Sequence, residues 1–180
     1  MGKKATEYKG FEDLPEYLYH VTTVRRLEAI SEDGLVAGRA RAIGASAYDS
    51  HAKQGIFLTV GEGVFFWHAR AEDHAEHGSD DLLEDGVVPV VLRVMAEDID
   101  GKLIPDEIGT GDAKHDAWIA SGPIEPVALE VFDGEEWVSI VENWDAVDPA
   151  LGVEEFEEDD GETFYLFPNE SKLFPPELMP

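Results

Sequence analysis

His20 and Thr22 stand two residues apart in Leu18-Tyr19-His20-Val21-Thr22, so an extended strand projects both from one face. A neutral imidazole donates a hydrogen bond at one nitrogen and accepts at the other. Phe57 and Thr59 repeat the same spacing in Gly55-Ile56-Phe57-Leu58-Thr59. His68, His74 and His77, near Glu72, Asp73 and Glu76, raise the question of a metal. Their spacings do not bring three imidazoles onto one helix face, and zinc requires convergent ligands with supporting contacts. We read that group as a solvated, polar helix end and assign no metal. No Walker-type loop, Ser-His-Asp signature or dinucleotide fingerprint occurs in a fitting context, and Gly61-Glu62-Gly63 is too short and acidic to cradle phosphate. The absence of cysteine excludes disulfides, thiolate metal sites and a cysteine nucleophile.

The elements that must position these residues follow from pattern. Tyr17 to Val21 reads as a strand of aromatic and aliphatic residues. Thr22 or Thr23 can cap a helix from Val24, whose apolar face is Val24, Leu27 and Ile30, with Gly34 ending it and Leu35 as the hydrophobic anchor. Residues 37–54 form a loop rich in Ala, Gly, Ser and Arg; 55–60 form a second strand, and a helix is predicted from about Val64 to His77. Val87 to Val94 is almost continuously apolar, the pattern of a strand buried on both faces. Residues 96–114 read as a polar loop. Ala117 to Ala120, Pro126 to Phe132 and Trp137 to Val141 read as strands, the last two joined through a turn at Asp133-Gly134, and Phe164 to Phe167 as one more. The class is α+β, with one or two early helices and then mostly strands. The organisation is a lead-in at 1–16, a domain at 17–141 and an acidic extension at 142–180.

The chain of 180 residues has 40 acidic and 13 basic residues, a formal charge of −27, with 43% hydrophobic residues for a core. Residues 1–90 carry −7 of this, 91–180 carry −20, and 142–180 alone carry −11. Phosphate contacts need clustered Lys and Arg, so binding to nucleic acid or to an anionic membrane is not expected. No segment approaches the ~20 apolar residues of a membrane span. Met1-Gly2-Lys3-Lys4 opens no apolar leader, and a cytoplasmic protein is expected. The acidity suits either solubility in salt or a basic protein partner.

Four segments in order carry a resemblance: Leu18-Tyr19-His20-Val21-Thr22 with Gly34-Leu35; Gly55-Ile56-Phe57-Leu58-Thr59; Val90-Val91-Leu92-Arg93-Val94; and Trp118-Ile119-Ala120-Ser121-Gly122-Pro123-Ile124-Glu125-Pro126. Over roughly 17–141 this order resembles the ADP-ribosyltransferase fold, particularly small bacterial members related to RNA 2′-phosphotransferases. The resemblance implies a split, strongly bent β-sheet whose cleft holds NAD⁺ as substrate. It implies that His20 bonds the adenosine ribose beside Thr22, and that Phe57, with Thr59 on its face, stands where a tyrosine often stacks on nicotinamide. Arg39 and Arg41, in the loop before the second strand, are the candidate phosphate binders. Val21 occupies a position that is usually Gly. Ala117 stands where many such transferases carry glutamate; Asp116, beside it, is the candidate catalytic acid, and one residue of slip turns it to the opposite face. The activity implied is transfer of ADP-ribose to a protein or small-molecule acceptor. The alternatives are a catalytically silent acidic binding or inhibitor protein, such as a nucleic-acid mimic, and RNA 2′-phosphate transfer.

Overall fold

The run of aromatic and β-branched residues at Tyr17–Thr23 forms strand β1, which lies at the middle of a seven-stranded sheet. The structure is a computed structural model and describes residues 14–37, 55–105 and 117–180. A short 3₁₀ turn at Val24–Arg26 leads into helix α1, Leu27–Asp33. Strand β2, Ile56–Thr59, is followed by helix α2, Glu62–Gly78, and then by β3, Pro89–Met95. Strands β4 (Leu103–Pro105), β5 (Ala117–Ala120), β6 (Leu129–Phe132) and β7 (Trp137–Ser139) complete the sheet. A helical turn α3, Ile140–Asn143, follows, and β8 (Glu154–Glu157) and β9 (Thr163–Leu166) make a separate hairpin.

The sheet order is β4-β5-β2-β1-β3-β6-β7, and each neighbouring pair is antiparallel. The α+β class expected from sequence is therefore present, with a mostly antiparallel sheet and few helices. The pairing is uneven. β1 and β3 stay in register from Tyr17↔Met95 to Thr23↔Pro89, and β2 and β5 from Ile56↔Ala120 to Thr59↔Ala117. Between β1 and β2 a single register pair, Tyr19↔Thr59, holds the two halves together.

Directly opposed residues in an antiparallel pair share a face. One face therefore carries Leu18, His20 and Thr22 beside Val94, Leu92 and Val90, then Leu129 and Val131. Its apolar members pack with Leu27 and Ile30 of α1 and with Ile140, Val147 and Leu173. The other face carries Tyr19, Val21 and Val91, covered by Val64 of α2 and by Phe174. β3 is thus buried on both sides, as its continuous apolar run predicts. Leu173 and Val147 place the acidic 142–180 segment in the same core as the sheet. Among the described residues, no helix is long and apolar enough to cross a membrane.

The end of α1 follows the sequence closely. Gly34 adopts φ 72° and its N–H bonds the Ile30 carbonyl, while Leu35 bridges to Ile124. Its beginning does not. Neither threonine caps the helix: both remain in the β1–β3 ladder, and their hydroxyl oxygens are buried without partners. The N–H groups of Val24 and Arg25 instead reach the carbonyls of Val88 and Gly86, at 3.0 and 2.9 Å. Backbone from the approach to β3 thus satisfies donors that a hydroxyl was expected to meet.

Candidate functional site

The seam between the two halves of the sheet brings His20 and Phe57 together. Beyond Tyr19↔Thr59 no register pair joins β1 to β2. Across that gap, His20 Nδ1 lies 2.9 Å from the carbonyl oxygen of Phe57. A carbonyl only accepts, so Nδ1 carries the proton and Nε2 is left as the acceptor. Although part of the residue meets solvent, the ring lies deep, and burial lowers its pKa below the usual 6.5. The Phe57 carbonyl opposes that shift, and the Arg26 guanidinium adds to it. At neutral pH the ring is uncharged, with a fixed tautomer.

Arg26 was not singled out among the sequence candidates. It sits at the joint between β1 and α1, half-buried, close enough to His20 to act on its titration. Burial and neighbouring Arg25 lower its pKa, yet an arginine stays protonated. Among the described residues no carboxylate pairs with it. Thr22, 2% exposed on the face of His20, has an oxygen with no hydrogen-bond partner. Among the described residues, a cation without a carboxylate partner and a buried hydroxyl without a hydrogen-bond partner therefore accompany a neutral imidazole.

Strand pairing divides the remaining candidates. With Tyr19 opposite Thr59, the side chains of Phe57 and Thr59 project to the α2 face, whereas those of His20 and Thr22 project to the α1 face. The two pairs meet through one side chain and one backbone carbonyl, not as a continuous surface. Thr59 is 4% exposed, opposite Tyr19 on one side and Ala117 on the other. Ala117 is itself buried, so apolar packing fills the position where the resemblance implies a carboxylate. Arg39, Arg41 and Asp116 lie outside the described residues.

The reading of the second histidine group needs correction. His68 does not belong to a solvated helix end: with Val64, Ala71 and Ala75 it forms the buried face of α2, and it is 4% exposed. Its Nδ1 is 3.3 Å from Glu72 Oε1, its ring meets Phe174 edge-on, and its Nε2 is buried without a partner. His74 and His77 are exposed, and His77 Nδ1 donates to the Asp73 carbonyl, which with the Asp73 carboxylate raises its pKa. No three metal-ligating side chains converge among the described residues. The exposed aromatics Phe65 and Phe66 in the first turns of α2 were also not singled out. Adjacent helix positions diverge by about 100°, so two consecutive aromatics cannot both be core, and that was the available signal.

Arg93 has a different fate from Arg26. Its Nε donates to Glu130 at 2.6 Å, and its guanidinium lies over the rings of Tyr17 and Trp137 at 4.3 and 4.5 Å. Trp137 Nε1 in turn donates to Glu177. This cluster has matched its own charges and serves the fold.

No protein-family model, curated protein or solved structure matches the chain. Functional assignment therefore rests on the residues at the seam and on the motif order.

Proposed function

We propose that the protein is an NAD⁺-dependent ADP-ribosyltransferase-like enzyme whose cofactor-binding cleft is the seam between the two half-sheets. The observation that carries this reading is the neutral, oriented His20 at the one place where strands β1 and β2 part. The strands form one continuous seven-stranded antiparallel sheet, so the split, bent sheet that the motif order implies is not what supports this reading. NAD⁺ supplies an ADP-ribosyl group with nicotinamide as its leaving group. Toward it, His20 Nε2 accepts from a ribose hydroxyl while the Phe57 carbonyl fixes the ring. Arg26, with no carboxylate pairing among the described residues, offers a cation to the pyrophosphate. Fixing the ribose through groups that need no reorganisation is the contribution such residues make to a reaction with an oxocarbenium-like transition state.

A second reading, a catalytically silent acidic binding protein, is favoured by one observation: buried Ala117 offers no carboxylate at the start of β5. RNA 2′-phosphate transfer fits least well with a charge of −27. The deciding experiment is incubation of the whole chain with NAD⁺, with mass analysis for released nicotinamide and modified acceptors, beside a thermal-shift titration. The enzyme reading expects nicotinamide release and a rise in melting temperature that His20→Ala and Arg26→Ala both reduce. A shift without nicotinamide release supports the silent scaffold; neither signal at millimolar NAD⁺ overturns the cleft itself. A 2′-phosphorylated oligonucleotide in the same assay tests the third activity.

A further inference from the structure

We infer that the β8–β9 hairpin is a docking surface for a cationic, amphipathic segment of another protein. The hairpin pairs Glu154↔Leu166, Glu155↔Tyr165, Phe156↔Phe164 and Glu157↔Thr163, apart from the main sheet. Pleating sorts these residues into two faces. Tyr165, continued by Phe167, turns inward and packs with Ala75, Leu82 and Val87. Phe156, Phe164 and Leu166 turn outward and are 47%, 42% and 48% exposed. The inward face anchors the hairpin, so the outward aromatics are not needed to hold it. A two-stranded ribbon gains little from large apolar groups facing water. Scattered exposed hydrophobes are ordinary, but three contiguous ones on a single ribbon face form a patch.

The surroundings of that patch select the occupant. Residues 154–162 hold seven carboxylates and no base. The tip is ordered by backbone bonds Gly161 N–H to the Glu158 carbonyl and Glu158 N–H to the Glu162 carbonyl, and by Glu162 N–H to Asp160 Oδ1. These bonds order the backbone of the tip that carries Glu158, Asp159, Asp160 and Glu162; Glu154 shares the apolar face, while Glu155 and Glu157 lie on the face of Tyr165. A second copy of the chain would bring the same seven carboxylates and an overall −27 against them, which like-charge repulsion opposes. A segment with Leu, Ile or Phe on one side and Lys or Arg beside them meets both the patch and its rim. The inference does not depend on the NAD⁺ reading.

The test uses the full chain and a fluorescent synthetic peptide, helical, with one leucine face and one lysine face. A control peptide keeps the lysines and replaces each leucine with serine. The expected result is one peptide per chain, with the control at least about tenfold weaker. Phe156→Ser with Phe164→Ser keeps the net charge and should weaken the leucine–lysine peptide at least about tenfold; Leu166→Ser, a smaller change, should weaken it measurably by itself. Raising salt from about 50 to 500 mM should also weaken binding. Equal affinity for both peptides, or equal affinity of wild type and variants, overturns the inference in favour of unspecific charge attraction. So does no binding at low salt, or a dimer in sedimentation that the serine substitutions dissolve.

Discussion

His20 links the titration of the seam to the stability of the fold. Its pKa in the folded chain lies below its unfolded value because burial disfavours the imidazolium. The neutral ring therefore contributes stability that is complete above about pH 6.5 and is lost as pH falls through the folded pKa. Uptake of one proton on unfolding gives a slope of up to about 1.4 kcal/mol per pH unit across that window. For a chain of this length that is about 3–5 °C of melting temperature per unit. Many carboxylates titrate lower down, and His77, with its pKa raised, contributes with the opposite sign. The difference between wild type and His20→Gln isolates the term, since glutamine retains an amide donor for the Phe57 carbonyl but cannot titrate. Thermal melts of both proteins from pH 8 downward should coincide near pH 8 to within about 1 kcal/mol, then diverge below about pH 6.5, with wild type losing stability faster. Parallel melting curves would refute the argument that His20 is held neutral by its surroundings. On the enzyme reading, NAD⁺ affinity should fade over the same interval in wild type, because protonation removes the Nε2 acceptor.

Gly34→Ala should destabilise the chain by more than about 2 kcal/mol in urea melts, because φ is 72° and a Cβ would lie 2.1 Å from the Ile124 oxygen. Thr22→Val, which keeps the shape and removes a buried hydroxyl without a partner, should raise stability by about 1 kcal/mol in the same melts. A loss of stability on that substitution would mean that the hydroxyl is already matched.

How far the sequence carries the fold depends on whether each signal is local. Strand β1, α1 and the Gly34-Leu35 stop were legible because pattern and turn chemistry lie within a few residues of each other. β4 was missed: Leu103, Ile104 and Pro105 sit in a polar stretch and become a strand by pairing with β5. β8 was missed because three of its four residues are Glu, poor strand formers ordered here by a hairpin. Ile140 and Val141 read as the end of β7 but begin α3, since Ile140 is drawn into the core while Val141 faces water. The site divides in the same way. A period of two places His20 with Thr22 and Phe57 with Thr59, but it cannot relate one pair to the other. That relation is fixed by the register Tyr19↔Thr59, and a slip of one residue would have put Phe57 on the side of His20. Arg26 had no signal of its own, because its approach to His20 depends on the 3₁₀ turn that joins strand to helix.

The net charge of −27 gains meaning once it is divided by place. Arg93 is committed to Glu130 and two aromatic rings, so it is not available to a ligand. Arg26 is half-buried beside a neutral histidine, with no carboxylate pairing among the described residues. A pyrophosphate concentrates its charge in one short group, and a single oriented guanidinium meets much of it. A nucleic-acid backbone repeats its charge every few ångström and needs many cations in a row. On the enzyme reading, the seam therefore suits a dinucleotide better than a polynucleotide. The acids of 154–162 act in the same direction at longer range, attracting cationic surfaces and repelling phosphate-rich ones. On the enzyme reading, the acceptor that gains most from this distribution is a basic protein: the hairpin retains it by charge and apolar contact, while Arg26 and His20 hold the donor.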